Sequence, residues 1–246
     1  MSHFTIVCVK LGTKYPSFMV NNLYRMCKQH ITHSFNFFCY TDDASGLDSA
    51  VNVINFIDHG LDITVYNKLF LFSEWMDNQL PTYPRLYFDL DIIIKGNIDD
   101  IITVDQNDLT IIDAEWRRKH DYGFPTFHHP FNSSCMVWRS PRTRPLWEHV
   151  MKDPEKFMNK YHWGMDSFMF YEQESASVDI GFFPHRKFYS YMYGVDYEEN
   201  VLYDPIQRGY RPSKFVEVVK NIPVVLLNGP TTIEDYIRTY NKHYAD

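Results

Sequence analysis

Residues 85 to 97 read Arg-Leu-Tyr-Phe-Asp-Leu-Asp-Ile-Ile-Ile-Lys-Gly-Asn, an apolar run broken at its centre by Asp89 and Asp91. So much apolar surface on both sides of the break predicts a buried strand, one that delivers two carboxylates to an edge of a sheet. Two aspartates one residue apart cost desolvation and mutual repulsion unless a cation shares them, and hard oxygen ligands suit Mg²⁺ or Mn²⁺. Such a cation in turn favours phosphates. In the alternative, Asp89 caps a turn and Asp91 points to solvent; the enclosing Leu86, Tyr87, Phe88 and three isoleucines argue against a solvated loop.

The rest of the chain supplies the sheet. Phe4 to Val9 is a β-branched apolar run, and Tyr15 to His30 then carries Phe18, Leu23 and Met26 at helical spacing. Phe35 to Tyr40 and Val51 to Ile57 read as further strands, and the first of these stops at Thr41-Asp42-Asp43. Val65, Leu69, Phe72 and Met76 predict a helix over about 64–76, before Pro81 and Pro84 break the pattern. Short strands at 109–113 and 136–138, helices at 144–151 and 164–172, and a last strand at 223–227 complete the reading. Strand and helix alternate, so the expected class is α/β: a mostly parallel central sheet flanked by helices, with ligands at its carboxyl edge and a C-terminal elaboration. Thr41–Asp43 and Asp89–Asp91 are then expected at one edge.

With 246 residues, no linker and no low-complexity run, the expectation is one domain, with a nucleotide-binding half near 1–105 and a second half near 106–246. A net charge of -7 argues against a nucleic-acid binder, for which a basic face is expected. Cys8, Cys27, Cys39 and Cys135 form no Cys-x-x-Cys pair, which predicts reduced core thiols rather than a zinc site or disulfide framework. The N-terminus lacks a basic leader and no stretch suits a bilayer span, so a cytoplasmic protein is expected. The 18 Tyr and 19 Phe fit surfaces that hold sugar rings and bases, or equally the bias of an AT-rich genome.

In order along the chain come a first strand ending at Val9 and a small loop, Tyr-Thr-Asp-Asp at 40–43, Tyr66-Asn67-Lys68-Leu69, the Asp89-Leu90-Asp91 strand, Phe-Asn-Ser-Ser at 131–134, Trp-Gly-Met-Asp at 163–166, and a final strand ending Asn228-Gly229-Pro230. This ordered set resembles the GT-A fold glycosyltransferases, closest in layout to the family-eight, glycogenin-like enzymes and their small bacterial and phage relatives. The resemblance implies a metal-dependent transfer of a sugar from a nucleotide-diphosphate sugar, most simply a UDP-sugar with Mn²⁺ or Mg²⁺, to an acceptor the sequence does not identify. It implies retention of anomeric configuration, with no evident covalent nucleophile.

Carried onto this sequence, the family pattern makes Asp91 the direct metal ligand and lets Asp89 contact metal and ribose. The family's third ligand is a histidine near the last glycine motif; Asn228 is the nearest oxygen donor here. Val9, Thr41 and Asp42 fall where the nucleoside is held, or else Thr41–Asp43 is only an Asx-type turn. Lys68 and Arg85 are expected to bring positive charge to the donor, or else to be a solvated helix lysine and an ion-paired arginine. Asn132 and Ser133 fall where donor sugar hydroxyls are bound. Adjacent His128 and His129 point to opposite faces of an extended segment and are expected in a loop rather than a metal site. Asp166, at a helix start after Trp163-Gly164, is the candidate catalytic carboxylate, or a partner of the helix dipole.

Two rival functions remain open. A catalytically weak nucleotide-sugar binding protein is suggested by Asn228. Phe-Asp-Leu-Asp also resembles the start of haloacid-dehalogenase-type phosphatases, whose first aspartate is a nucleophile; that family wants a turn and a hydroxyl after the second aspartate, where Ile92 stands.

Overall fold

A computed structural model describes residues 3–61, 65–104, 107–114, 129–191, 194–195, 203–204, 209–210, 219–228 and 232–244. His128, Gly229 and Pro230 lie outside the described residues. Seven strands form the central sheet: β1 (Phe4–Lys10), β2 (Phe35–Thr41), β3 (Asn52–Asn55), β4 (Arg85–Phe88), β6 (Leu109–Asp113), β7 (Phe131–Trp138) and β8 (Ile180–Phe182). Their order is β3-β2-β1-β4-β7-β6-β8. The pairings β1/β2, β1/β4, β2/β3 and β6/β8 are parallel, whereas β7 runs antiparallel to both β4 and β6. β1, β2, β4 and β6 therefore end, and β7 begins, at one edge.

The unbroken apolar strands are explained by cover on both faces. On β1, Ile6 and Cys8 pack with Leu23, Met26 and Cys27 of helix α1 (Ser17–His30), while Val7 joins a second cluster on the other face with Tyr40, Leu69 and Phe72. All four cysteines are free and buried, as expected of core thiols. A second sheet combines β5 (Ile92–Ile94), β9 (Phe188–Ser190), β10 (Gly194–Val195) and β13 (Val224–Leu226) in the order β10-β9-β13-β5, and β11 (Tyr203–Asp204) and β12 (Gly209–Tyr210) form a separate antiparallel pair. Asp89 and Asp91 thus sit where the chain leaves one sheet and enters the other. Among the described residues no helix is long and apolar enough to cross a membrane.

Two local outcomes differ from the pattern that the sequence predicts. Residues Val65–Phe72 form a 3-10 helix, and Ser73, in extended conformation, starts a separate helix at Glu74–Gln79 by accepting from the Met76 N–H at 3.1 Å. Three-residue periodicity places Lys68 directly over Val65. The strand expected at 136–138 is eight residues long, because its first half continues the pairing with β6, Asn132 and Phe131 opposite Ile112 and Asp113 at the site edge. His129 lies in a bend just before β7, the expected loop, with its ring fully buried, stacked on Phe170 and its Nε2 2.9 Å from Ser167 Oγ.

After the helix at Glu74–Gln79 (α2) and the short α3 (Asp99–Ile102), helices α4 (Arg144–Val150), α5 (Pro154–Lys160) and α6 (Met165–Ala176) cover the second face and are tied by a carboxylate that no sequence motif marks. Glu172 accepts from Tyr161 Oη at 2.5 Å and Lys160 Nζ at 2.9 Å, and lies 3.0 Å from His149 Nε2. Burial alone would raise its pKa, but the bonds from Tyr161, His149 and Lys160 win and bring it down to about 2. A depressed carboxylate stabilises the fold above its unfolded pKa and loses that contribution as pH falls toward the folded value. Glu172→Gln is therefore expected to cost on the order of 2–3 kcal/mol at neutral pH, with the cost shrinking as pH falls from about 4.5 toward 2. Urea melts of both proteins across that range check it; a cost independent of pH would refute the charged role.

Candidate active site

The Asp89-Leu90-Asp91 turn is held from several sides. The Asp89 N–H donates to Ser134 O at 2.9 Å and the Leu227 N–H donates to Asp91 O at 2.8 Å, which ties the turn to β7 and to the end of β13. Tyr87 Oη donates to Asp89 Oδ1 at 2.5 Å, and Lys68 Nζ lies 2.6 Å from the same oxygen. Tyr87 and Asp89 are two residues apart at a strand end, so both project to one side. Tyr15 Oη, from the loop after β1, donates to Asp91 Oδ2 at 2.9 Å. Burial, then the charge of Asp89, push the Asp91 carboxyl up to about 6 against the Tyr15 hydrogen bond and the charges of Lys68 and Lys14. The pair is therefore short of positive charge, the condition in which a divalent cation between hard oxygens relieves repulsion.

The strand ends gather the other candidates. Thr41 closes β2 with its side chain in the turn: its Oγ1 accepts from the Asp43 N–H at 3.1 Å. Asp42 is exposed, and its Oδ2 accepts the Gly12 N–H at 2.9 Å, joining the ends of β1 and β2. Gly12 needs its freedom there, since its φ is 66°. Val9, paired with Tyr40 in the β1/β2 register, is partly buried beside them. Asn132 and Ser133 are buried at the start of β7, where the β6/β7 register shifts between Ile111 and Ile112. That bulge frees strand amides, and side chains take them up: Asn132 Oδ1 accepts from Ser134 N–H and Asp166 Oδ1 from Ser133 N–H, each at 3.0 Å. Asp166 lies in the first turn of α6, and the Ser133 bond holds it against the sugar-side candidates.

Arg85 lies elsewhere. It begins β4, at the end away from Asp89, with 2% of its surface exposed, ion-paired to Asp77, donating to Leu80 O at 2.8 Å and stacked on Tyr83. Asp77 also bonds Arg144 at 2.7 Å, so Arg85 belongs to a structural ion cluster, the ion-paired alternative. Asn228 follows the Leu227 bond to Asp91, and its Oδ1 already accepts from Ser190 Oγ at 2.7 Å. Among the described residues no third His, Cys, Asp or Glu completes a metal cluster.

Four residues at the edge were not singled out by the sequence reading. Tyr15 and Tyr87 orient the two carboxylates, Lys10 is buried with its Nζ donating to Asp43 O at 3.0 Å, and Asp113 is buried where β6 ends. For Asp113 a signal existed: an apolar strand ending in an acid, as at Asp89. Tyr87 was legible from its two-residue spacing to Asp89.

The strand order, with its switch from one sheet to the other at the Asp89–Asp91 turn, is a mixed α/β fold shared with solved glycosyltransferases. Among solved structures, the galactosyltransferase LgtC in complex with donor and acceptor sugar analogues matches with a TM-score of 0.56 at 14% identity, covering 98% of this chain and 97% of that one. The bifunctional glycosyltransferase WbbM matches with a TM-score of 0.58 at 12% identity over 99% of this chain and 50% of its own, and GlyE of Streptococcus pneumoniae TIGR4 with 0.56 at 12% over 92% and 55%. No protein-family model matches the chain, and no curated protein matches it in sequence.

Proposed function

We propose that the protein is a metal-dependent glycosyltransferase that moves a sugar from a nucleotide-diphosphate sugar, most simply a UDP-sugar, to an acceptor hydroxyl, with retention. The observation that carries this is the carboxylate pair Asp89 and Asp91 at the carboxyl edge, oriented by Tyr87 and Tyr15 and contacted by Lys68. Residues up to about 105 hold the nucleotide and the remainder the sugar and acceptor. Four reduced, buried cysteines fit a cytoplasmic setting.

Asp91 and Asp89, with Asn228 beside them, are the residues that would hold Mn²⁺ or Mg²⁺, and such an ion supplies positive charge to a departing diphosphate. Lys68 adds a cation on the Asp89 side. Val9, Thr41 and Asp42 hold the nucleoside, and Asn132, Ser133 and Asp166 hold the sugar. In the transfer the bond from the anomeric carbon to phosphate oxygen breaks and one to the acceptor oxygen forms. The acceptor proton passes to the leaving phosphate, and Asp166 stabilises the cationic anomeric centre. With inversion Asp166 would be the acceptor's base.

Asp42→Ala tests the nucleoside side. It is expected to weaken UDP binding in calorimetry roughly tenfold, about 1.4 kcal/mol, with the fold intact because the side chain is exposed. Unchanged affinity would reduce Thr41–Asp43 to a turn. A second reading, a nucleotide-sugar binder with little turnover, draws on Asn228, whose oxygen is engaged by Ser190. It predicts UDP binding without release of UDP from any UDP-sugar.

A further inference from the structure

Arg85 begins β4 at the end away from Asp89 and stands opposite Trp138, the last residue of β7, in the antiparallel register. Residues paired in this way project from one face of the sheet with Cβ atoms about 5 Å apart. That face is the second one, since Tyr87 and Trp138 both belong to its apolar cluster. Arg144, at the start of α4, meets Arg85 there at a single carboxylate. Asp77 Oδ2 accepts from Arg144 Nη2 at 2.7 Å, and Asp77 Oδ1 accepts from Arg85 Nη1 and, at 2.6 Å, from Tyr83 Oη.

Three N–H groups remain around this cluster. Arg85 Nε, Arg144 Nε and Trp138 Nε1 are buried and meet no hydrogen-bond acceptor among the described residues. Arg85 and Trp138 are 2% and 1% exposed, so solvent does not serve them either. A buried donor without a partner keeps its whole desolvation cost, and neither a guanidinium nor an indole N–H can accept. The charges are uneven in the same sense. Two guanidinium groups face the one Asp77 carboxylate, while Glu74, 3.6 Å from Arg144 Nη1, and Glu148 are exposed, where water screens them. A water molecule would bring two more protons to a wall of donors. A halide brings a negative charge and no proton.

We propose that Arg85, Arg144 and Trp138 form a binding site for one halide ion, chloride under physiological conditions, which ties β4, β7 and α4 together at the end of the sheet away from Asp89. Arg144, whose side chain is 29% exposed, is the way in. Melting temperatures in sodium gluconate, chloride and bromide at one ionic strength test it, together with anomalous diffraction from crystals grown in bromide. Chloride and bromide are each expected to raise the melting temperature saturably, by about 2–4 °C where the ion stands at roughly ten times its dissociation constant. Bromide is expected to give an anomalous peak within hydrogen-bond reach of the three nitrogens. Arg144→Lys keeps a cation for Asp77 but loses the Nε–H, and Trp138→Phe keeps a ring against Phe72 but loses the indole N–H; each is expected to lose about half or more of the halide-dependent shift. Equal melting in gluconate and halide, a shift that both variants keep whole, or water-like density with no anomalous peak between these nitrogens would overturn the proposal. Should either variant fail to fold, the wild-type shift and the bromide peak decide.

Discussion

Asp91→Asn is expected to abolish the gain in UDP affinity that Mn²⁺ confers. The wild type should bind UDP at least tenfold more tightly with the ion than without it, about 1.4 kcal/mol in calorimetry; the variant should bind equally in both conditions. Asparagine keeps the shape and the oxygen that accepts from Tyr15, so the packing at 2.9 Å survives while the charge is lost. The variant should also fold at least as firmly as the wild type, because the fold holds the Asp91 carboxyl up at about 6 by burial and by the charge of Asp89. A raised carboxyl pKa means that its ionised form opposes folding, so stability falls as pH rises through that value and a neutral side chain escapes the loss. Loss of UDP affinity together with a lower melting temperature would contradict this, showing Asp91 as a structural residue.

Asp166→Asn is expected to leave nucleotide affinity unchanged and to lower turnover of the UDP-sugar, including its slow hydrolysis, by on the order of 10²-fold or more, the scale for loss of one electrostatic stabiliser. The asparagine oxygen can still accept the Ser133 N–H, so the start of β7 stays in place. What is lost is the negative charge that, in the proposed function, stabilises the anomeric centre. Turnover within a few-fold of the wild type would reduce Asp166 to a helix-start residue.

The parts of this molecule most legible in its sequence are those where an apolar strand ends in a polar side chain. Asp89 and Thr41 announce themselves because buried runs end at polar groups, and the parallel order of β1, β2 and β4 then places them at one edge without further information. Asn132, Ser133 and Asp166 entered through a resemblance in motif order, and the bulge in β7 supplies the physical link between them, a strand amide that needs a carboxylate. Arg85 was misplaced for a plain reason. It is four residues from Asp89, which on an extended strand is more than 10 Å, and a charge so far along the strand belongs to the other end of the sheet. Contacts formed across long separations stayed hidden. Tyr15 to Asp91, Glu172 to His149 and Gly164 against Val65 each depend on the folded chain, and no local period predicts them. Val65, Leu69, Phe72 and Met76 follow the 4-3-4 spacing of an α-helix, and that local period does not disclose the tighter 3-10 turns at 65–72 or the break at Ser73.

Nucleotide release separates a glycosyltransferase from a protein that only binds nucleotide sugars. Purified protein is incubated with UDP-glucose, UDP-galactose, UDP-N-acetylglucosamine and GDP-mannose, separately, with Mn²⁺ and with chelator, and free nucleoside diphosphate is quantified over hours. Release is expected from at least one UDP-sugar, dependent on the metal, abolished by chelator and reduced on the order of 10²-fold or more in Asp166→Asn. Folded protein that binds UDP yet releases no diphosphate from any donor, or that releases it equally under chelator, would contradict it.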